Sequence, residues 1–485
     1  MREKIVNQKQ AEERCNVVRS EERRSRVKNH RWGRVLILLC PLMLAMVFTS
    51  RESLGQTEEP TVEPVARPKV PDALKLHREA IVVDGHVHLT NCVFHQGIDP
   101  WKTQITGTFD YARAKEGGLD VAIEHLYIDD SYNRYNYAVK QACRLIETFH
   151  RVVDSNPDKM ELAVDSQDIR RIVADGKLAV VLALEGGIDM EGDLDVLRLF
   201  HRLGVRMIQI TNHDTTNALT DAGRGEKWGG ISPKGRAVIQ EMNRLGIVID
   251  ISHASPEAKR QIIEASQAPV VTSHNGLQHF SSSMGNISDK TLRDLAAKGG
   301  LMGLHSAGWI LQQKSLDWGY YRPRGSPPPE WAKRASLKFE FFRPPIDYGE
   351  YITQLDSLNR DLWLYRYGYG EPWRVRQRRA ILQGAPLPTV EDWANQVDYV
   401  VGLVGAEHIA LGLDLMSGGH WLRDFDATDY PRITEALVAR GYSSDTVRKI
   451  LGENWLRLLS AAKVPPQRRT GRTDEPPQQP KQEAR

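Results

Sequence analysis

The sequence predicts a (β/α)8 TIM barrel with a long insertion between strands 7 and 8, preceded by an N-terminal signal or anchor segment. Three observations predict the barrel. Eight short, β-branched apolar runs recur along the chain, and nearly continuous apolar runs are typical of parallel strands covered on both faces. Helical patterns separate these runs, as in a closed parallel barrel. Polar residues capable of binding metal follow five of them.

The chain begins with a basic segment, residues 1–34, which holds 11 Lys and Arg against 5 Asp and Glu, a net charge of +6. An uncharged run follows at residues 35–50, shorter than the ~20 residues that span a bilayer comfortably. A basic flank before a short apolar run is typical of a signal peptide or signal anchor. We therefore expect an exported protein that is membrane-anchored, periplasmic or extracellular.

Two further segments have the composition of linkers. Residues 51–72 are rich in Pro and Glu, and residues 464–485 form a polar tail that we expect to be disordered. These boundaries leave residues 73–463 for the barrel. Because the whole chain carries +3, everything after residue 34 carries a net charge of −3, which gives no reason to expect nucleic acid binding.

The predicted strands follow one another in sequence order. They are Ala80–Asp84, Leu119–Ile128, Leu178–Leu184, Val205–Thr211, Gly246–Ser252, Pro269–Ser273, Gly300–Leu304 and His408–Leu413. The clearest helical patterns between them are Tyr137–Val153, Asp193–Leu203, Lys234–Leu245 and Ser255–Ala265. In the last of these, Ser255 before Pro256 is a typical start of a helix.

The polar residues just beyond the strands predict a metal site. They are His86, His88, Glu185, His253, His274 and Asp414. In a barrel the carboxyl ends of all strands meet at one mouth, so these side chains should converge there. Imidazoles together with carboxylates are the ligands that zinc prefers.

Several motifs together resemble one known family. They are VDGHVHL, LALEGG, LGVRMIQIT, EMNRLGIVIDISH, APVVTSHNG, LVGAEHIALGLD and the closing RGYSSDTVRKILGENWLRLL. Between about Ile81 and Leu459 the chain resembles the membrane (renal) dipeptidases, zinc-dependent peptidases of the amidohydrolase-type barrel group. The resemblance implies hydrolysis of dipeptides or related small amides.

The resemblance also implies the role of each site residue. Glu185 would bridge two zinc ions, with His86 and His88 completing one site and His253 and His274 the other. A hydroxide shared by the two ions would attack the peptide carbonyl. Asp414 would then act as the acid and base that handles its proton.

Three departures from the family pattern bear on the substrate. The family has His-x-Asp where this chain has His86 and His88, so one negative charge is lost. The family's carbonyl-polarising His falls on Asn212, with His213 beside it, and either side chain could donate to an oxyanion. The resemblance implies that Gly285 and Asn286 lie where the substrate binds, and Gly285 replaces an Arg that holds the substrate carboxylate. Two alternatives therefore stay open: a barrel enzyme acting on another small amide, ester or lactam, and a catalytically silent binding protein.

The insertion, about residues 309–388, is rich in aromatic residues. Residues 309–373 hold 5 of the 11 Trp and 7 of the 15 Tyr. Two interpretations are open: a lid that supplies the missing cationic contact, and a small subdomain or homodimer surface. The remaining imidazoles are interpreted as second-layer or surface residues, namely His95, His125, His279, His305 and His420. Of these, His305 at the end of the seventh predicted strand is the strongest further candidate for the site.

Overall fold

A computed structural model describes residues 72–462, apart from 131, 133–136, 187–189, 214, 224–225, 319–352, 354–355, 358–359, 361–371 and 417–421. The predicted basic segment, signal or anchor segment and tail lie outside the described residues, as do nearly all of the predicted linker, most of the insertion, and His420. The proposed domain boundaries therefore stay predictions. Within the described ranges, none of the helices is both long and apolar enough to cross a membrane.

The strands form one parallel sheet that curls into a nearly closed barrel. They are β1 Val83–Val87, β2 Val121–Tyr127, β3 Met160–Leu162, β4 Leu178–Glu185, β5 Val205–Gln209, β6 Val248–Asp250, β7 Val271–Asn275, β8 Leu301–Leu304 and β9 Ile409–Leu411. Their order is β1-β2-β4-β5-β6-β7-β8-β9, with β3 paired to β4 outside this path. A parallel bridge between Val87 and Leu415 joins the first and last members of the barrel.

Helices follow the strands and cover the outside of the barrel. They are α1 Ala73–Glu79, α2 Leu89–Gln96, α3 Tyr111–Glu116, α4 Ala138–Ser155, α5 Ser166–Ala174, α6 Leu194–Arg202, α7 Pro233–Leu245, α8 Pro256–Ala265, α9 Asp289–Ala297, α10 Gly308–Leu311, α11 Gln313–Trp318, α12 Trp373–Leu382, α13 Val390–Val404, α14 Tyr430–Ala439, α15 Ser444–Arg448 and α16 Asn454–Ala461.

The predicted (β/α)8 barrel is confirmed, and all eight predicted strands are present with shifted ends. The short strand β3 was not predicted, because three residues are too few to give a periodic pattern. The predicted helix start at Ser255 is confirmed, since its hydroxyl accepts a hydrogen bond from the backbone of Ala258 at 3.1 Å.

The inside of the barrel changes from apolar to polar along its axis. Toward the amino ends of the strands, Val83, Val121 and Val181 pack with Trp455 of α16 in one buried cluster. The indole of Trp455 donates to the Leu411 carbonyl at 2.9 Å. Toward the carboxyl ends, buried polar side chains replace the apolar ones. The apolar end is therefore plugged, and the polar end is available for chemistry.

The glycine between Asp84 and His86 is required by the packing of Trp455 inside the barrel. A Cβ atom at Gly85 would lie 1.9 Å from Cζ2 of Trp455. Only glycine fits between Asp84 and His86 while the indole fills the barrel floor. The His-rich end of β1 and the closing helix α16 are therefore linked by direct packing.

The described part of the insertion contacts the barrel wall. Asp356 accepts hydrogen bonds from Arg144 of α4 at 2.8 and 3.0 Å and from the Tyr132 hydroxyl at 3.2 Å. Arg374 at the start of α12 donates to Asp426 at 3.1 Å. These contacts hold Asp356 and Arg374 against the side of the barrel. The lid and subdomain interpretations of the insertion stay predictions.

Candidate metal centre

His86 in β1 and His88 just after it point their Nε2 atoms at each other. The Nε2 atoms of His86 and His88 are 2.9 Å apart. The Nδ1 atom of His88 is 2.6 Å from the His125 carbonyl, which can only accept, so Nδ1 carries the hydrogen. His88 therefore presents a lone pair at Nε2 whenever it is neutral.

A second pair of histidines comes from the ends of β6 and β7. The Nε2 atoms of His253 and His274 are also 2.9 Å apart. His253 has a backbone φ of 62°, in the left-handed region that a residue other than glycine seldom adopts. Such strain is concentrated at functional sites, where the surrounding structure enforces it.

One hydroxyl connects the two pairs from behind. Ser273 Oγ donates to Asp250 Oδ2 at 2.5 Å, which uses its only hydrogen. The same Oγ lies 3.0 Å from Nδ1 of His86 and 2.8 Å from Nδ1 of His274. Both imidazoles must therefore donate to it, which leaves their Nε2 lone pairs facing the mouth.

Glu185, the last residue of β4, lies between the pairs. Its Oε2 atom is 3.4 Å from Nε2 of His86 and 3.2 Å from Nε2 of His88. Its Oε1 atom is 3.7 Å from Nε2 of His253. Each carboxylate oxygen thus faces a different pair of imidazoles, which is the arrangement of a bridging carboxylate.

The protonation of these groups suits a cation. Burial, followed by the neighbouring imidazoles, lowers the pKa of His86 and of His274 well below the usual value. Burial opposes protonation of His88, but the hydrogen bond to Asp414 and the charge of Glu185 outweigh it and raise its pKa to about 9. Burial raises the pKa of Glu185 to about 6. A cation at the same place would interact with the carboxylates of Glu185 and Asp414 as the protonated His88 ring does.

Asp414 closes the mouth beyond the eighth barrel strand. Its φ is 54°, a second strained residue at the site. Its Oδ1 atom is 3.3 Å from Nε2 of His88, and its Oδ2 atom is 3.5 Å from Nε2 of His305. The side chain is 18% exposed, so it can be reached from the mouth.

Asn212 and His213 lie in different environments. The Asn212 amide donates to Thr215 Oγ1 at 3.0 Å, and its oxygen accepts from Asn217 at 3.2 Å, so the side chain braces its own loop. The His213 ring lies 4.3 Å from the His253 ring. The geometry therefore favours His213 over Asn212 as the group that reaches the metal centre.

The distances between potential metal-ligand atoms identify the same group of residues as the candidate site. The ligand atoms of His86, Glu185 and His274 lie within 4.8 Å of one another, and so do those of Glu185, His213 and His253. The candidate centre thus draws on residues in β1, β4 and β7 and on the loops that follow β5 and β6. His213 enters it as a further potential ligand, which the sequence analysis considered only as a hydrogen-bond donor.

The carbonyl of Gly285 accepts hydrogen bonds from two side chains. It accepts from the buried Lys259 ammonium at 3.1 Å and from the Asn275 amide. Burial lowers the pKa of Lys259 to about 8. A cation that the sequence analysis did not single out thus lies directly behind the position where the family has Arg.

Asn286 is committed to the loop after β7. Its Oδ1 accepts from the Gly276 backbone at 3.2 Å, and its Nδ2 donates to the carbonyls of Ser281 and Ile310 at 2.9 Å. The amide therefore sets the shape of this loop. Its predicted role in binding substrate directly stays a prediction.

Sequence reasoning missed the layer behind the ligands. Ser273 and Asp250 were not singled out, and His125 and His305 were grouped with second-layer or surface residues. The His125 ring stacks on His86 at 3.8 Å, and both His125 and His305 are buried. Within that group, the position of His305 directly after β8 had already indicated the strongest further candidate for the site.

The chain was compared with known proteins. A family model described as membrane dipeptidase (peptidase family M19) matches residues 71–470. Dipeptidase tcpJ of Claviceps purpurea (strain 20.1) is 25% identical over 393 residues, which cover 78% of this chain and 76% of that protein. Dipeptidase aclJ of Aspergillus oryzae is 24% identical over 385 residues, which cover 77% of this chain and 73% of that protein.

Two solved structures share the fold. The probable dipeptidase PvdM from Pseudomonas aeruginosa aligns with a TM-score of 0.62 at 22% identity, covering 81% of this chain and 97% of that one. A metallo peptidase from Rhodobacter sphaeroides, liganded with a phosphinate mimic of the dipeptide L-Ala-D-Ala, aligns with a TM-score of 0.59 at 19% identity, covering 79% and 99%.

Proposed function

The chain belongs to the membrane dipeptidase family, M19, a family of metal-dependent hydrolases, and from this membership we propose that it hydrolyses dipeptides with two zinc ions. His86 and His88 would hold one ion, His253 and His274 the other, and Glu185 both. Neutral imidazoles and a carboxylate are the donors that zinc prefers.

The position of Glu185 carries the proposal. Its two oxygens face different imidazole pairs, at 3.2 Å from His88 Nε2 on one side and 3.7 Å from His253 Nε2 on the other. A carboxylate placed this way in a packed barrel needs compensating positive charge, because an unpaired buried charge is costly. Two metal ions would account for the presence of two imidazole pairs beside one carboxylate.

The remaining groups would handle protons and orientation. The bound ions would act as Lewis acids and lower the pKa of a coordinated water. Asp414 would take a proton at Oδ1, the oxygen that faces His88 and His86, and return it to the leaving amine. His213 would donate a hydrogen bond to the oxygen of the scissile carbonyl.

The chemistry of the substrate follows from the family and from Gly285. The fungal relatives are named dipeptidases, and the Rhodobacter sphaeroides protein was solved with a dipeptide mimic. Both support a dipeptide as the substrate of this chain. Since Gly285 offers no side chain to a carboxylate, we expect a weaker preference for a free C-terminus than an Arg at this position would give.

Metal analysis and one substitution test the reaction. The purified protein should contain two zinc ions per chain by elemental analysis, and chelation should abolish dipeptide hydrolysis. Asp414→Asn should keep the metal and lower kcat by about 10²- to 10⁴-fold, the usual contribution of an acid-base group. Fewer than one ion per chain would favour the binding-protein alternative, and an active Asp414→Asn enzyme would exclude the proposed role of Asp414.

A panel of substrates and a variant at Gly285 test how the C-terminal carboxylate of the substrate is recognised. A Cβ at Gly285 would make ordinary contacts, 3.6 Å to Asn275 Nδ2 and 3.7 Å to Ile310 Cδ1. Gly285→Arg should therefore lower KM for free dipeptides while leaving KM for C-terminally amidated ones unchanged. Gly285→Met is the control for filling space without charge. Faster hydrolysis of other amides, esters or lactams than of any dipeptide would support the alternative enzyme.

We further propose that the protein is exported, on the basis of residues 1–34 and 35–50 alone. The expectation is a protein in the membrane or extracytoplasmic fraction of its source cells. N-terminal sequencing of that material would distinguish a cleaved signal from a retained anchor. Recovery in the cytoplasmic fraction with an intact leader would contradict export.

A further inference from the structure

His305 is a buried imidazole beside Asp414 to which the proposed reaction assigns no role. It follows β8 directly and is 4% exposed. Its Nε2 atom is 3.5 Å from Asp414 Oδ2, while Asp414 Oδ1 faces His88 on the other side. The Asp414 carboxylate is therefore held between a predicted zinc ligand and His305.

The backbone fixes which nitrogen of His305 carries the hydrogen. Its Nδ1 atom accepts from the backbone N–H groups of Ser306 at 2.8 Å and Ala307 at 3.1 Å. An atom that accepts two N–H groups bears no hydrogen, so the hydrogen of the neutral ring is on Nε2. His305 is thus a hydrogen-bond donor at the Asp414 turn, because the ring hydrogen-bonds the Leu413 backbone and its Nε2 atom lies 3.5 Å from Asp414 Oδ2.

This tautomer also argues against a role as metal ligand. A neutral imidazole binds a metal through its unprotonated nitrogen, and that nitrogen of His305 is occupied by the backbone. Among the described residues, the groups of three potential ligand atoms within 4.8 Å of one another do not include His305. The ring instead packs edge-on against Trp309, with ring centroids 5.9 Å apart.

The turn that carries Asp414 is braced from the same place. The hydroxyl of Ser306 donates to the Leu413 carbonyl, and the backbone N–H of Asp414 donates to the His86 carbonyl at 3.1 Å. Asp414 is held at a φ of 54°, and a strained turn persists only when its neighbours determine it. His305 and Ser306 are the neighbours that β8 supplies.

We propose that His305 is a positioning residue that holds the Asp414 turn, with its Nε2 atom beside Asp414 Oδ2, and so keeps Oδ1 directed at the metal centre. The inference rests on the proposed function for its consequence in catalysis, and on the geometry of His305 and Asp414 for the contact itself. A 3.5 Å separation is long for a hydrogen bond, and such bonds in catalytic sites often shorten when substrate is bound.

Two variants of the full chain test the catalytic consequence. His305→Phe removes the donor, and His305→Gln restores an N–H near the same place. In His305→Phe we expect kcat for dipeptide hydrolysis to fall by about 10²-fold, the cost of misplacing a catalytic group, with KM changed less than about threefold. His305→Gln should recover at least about tenfold of this loss. Zinc content should be unchanged in both.

His279 provides a matched control. Its imidazole is exposed on the loop after β7 and stacks on Tyr399 with ring centroids 4.3 Å apart. His279→Phe should leave kcat, KM and zinc content unchanged. Loss of zinc in His305→Phe would overturn the proposal in favour of a ligand. Equal kcat for His305→Phe and His305→Gln would overturn it in favour of packing alone.

A second measurement does not depend on turnover. In the zinc-loaded protein, Tm is measured for His305→Phe, Asp414→Asn and the double variant. Contacting residues give non-additive shifts, so the double variant should lose less than the sum of the single losses. Additive shifts would overturn the contact, whatever the activity. If the parent protein hydrolyses no dipeptide but the shifts are non-additive, the proposed function fails and the contact stands.

Discussion

Replacing Ser273 with alanine should weaken both halves of the metal centre at once. Its hydroxyl lies 3.0 Å from Nδ1 of His86 and 2.8 Å from Nδ1 of His274, and these imidazoles belong to different pairs. Without the hydroxyl, two buried N–H groups lose their acceptor and Asp250 Oδ2 loses its donor. Both rings would then be free to rotate away from the geometry that zinc requires.

The magnitude follows from what such partners contribute elsewhere. Removing one hydrogen-bond partner of a ligand imidazole costs about 10- to 100-fold in metal affinity. That factor corresponds to ~1.4–2.7 kcal/mol. Since Ser273 contacts one ligand of each pair, we expect a loss of this size at each of the two sites rather than at one.

The measurement is a competition for zinc between the protein and a chromophoric chelator, analysed for two sites. Ser252→Ala is the matched control, because its hydroxyl donates to Oδ1 of the same Asp250 at 2.7 Å and contacts no ligand imidazole. It should change zinc affinity by less than about threefold, since no ligand loses its partner. Unchanged affinity in Ser273→Ala, a loss confined to one site, or an equal loss in Ser252→Ala would refute the reasoning.

Two further predictions concern stability. Gly85→Ala should lower the free energy of unfolding by ~1–3 kcal/mol, because its Cβ would lie 1.9 Å from Trp455 Cζ2. Gly402→Ala, on the exposed side of α13, should raise the free energy of unfolding by ~0.5–1 kcal/mol, because its Cβ would meet nothing within 4 Å and alanine favours the helix. Urea unfolding measures both free energies, and the same change in both variants would contradict the packing argument. Burial lowers the pKa of His77, which pairs with Thr434 at 2.7 Å, so its contribution to stability is complete above pH 6.5 and is lost as the pH falls toward the folded-state pKa. The fall in Tm from pH 7.5 to 5.5 should be smaller in His77→Gln, and an equal fall would contradict this assignment.

The barrel could be predicted because its strands are buried on both faces. Runs such as Leu178–Leu184 are apolar throughout, and the polar residue that follows each run marks where the strand leaves the core. Since the carboxyl ends of parallel strands share one mouth, residues as distant in sequence as His86 and Asp414 could be placed together without any contact information. The family resemblance then assigned their separate roles.

The layer behind the ligands could not be predicted in this way. Ser273 is one of many serines in the chain, and its importance comes from contacts with side chains on β1 and β6 that only the closed barrel brings together. The choice between Asn212 and His213 depended on the Asn212 amide finding Thr215 and Asn217 as partners. Side-chain direction in an irregular loop follows from such local hydrogen bonds, which leave no periodic signal in the sequence.

Where the family has Asp, His88 interacts electrostatically with a further buried carboxyl, Glu124 of β2. The charge of Glu124, 3% exposed, contributes to raising the pKa of His88. Burial raises the pKa of Glu124 to about 7, so this carboxyl is partly protonated near neutral pH. A divalent cation at His86 and His88 would displace the His88 proton and favour the ionised form of Glu124, because a nearby positive charge lowers a carboxyl pKa. Metal binding should therefore release protons, and metal affinity should fall as the pH is lowered, which zinc competition with a chromophoric chelator across a pH series would measure.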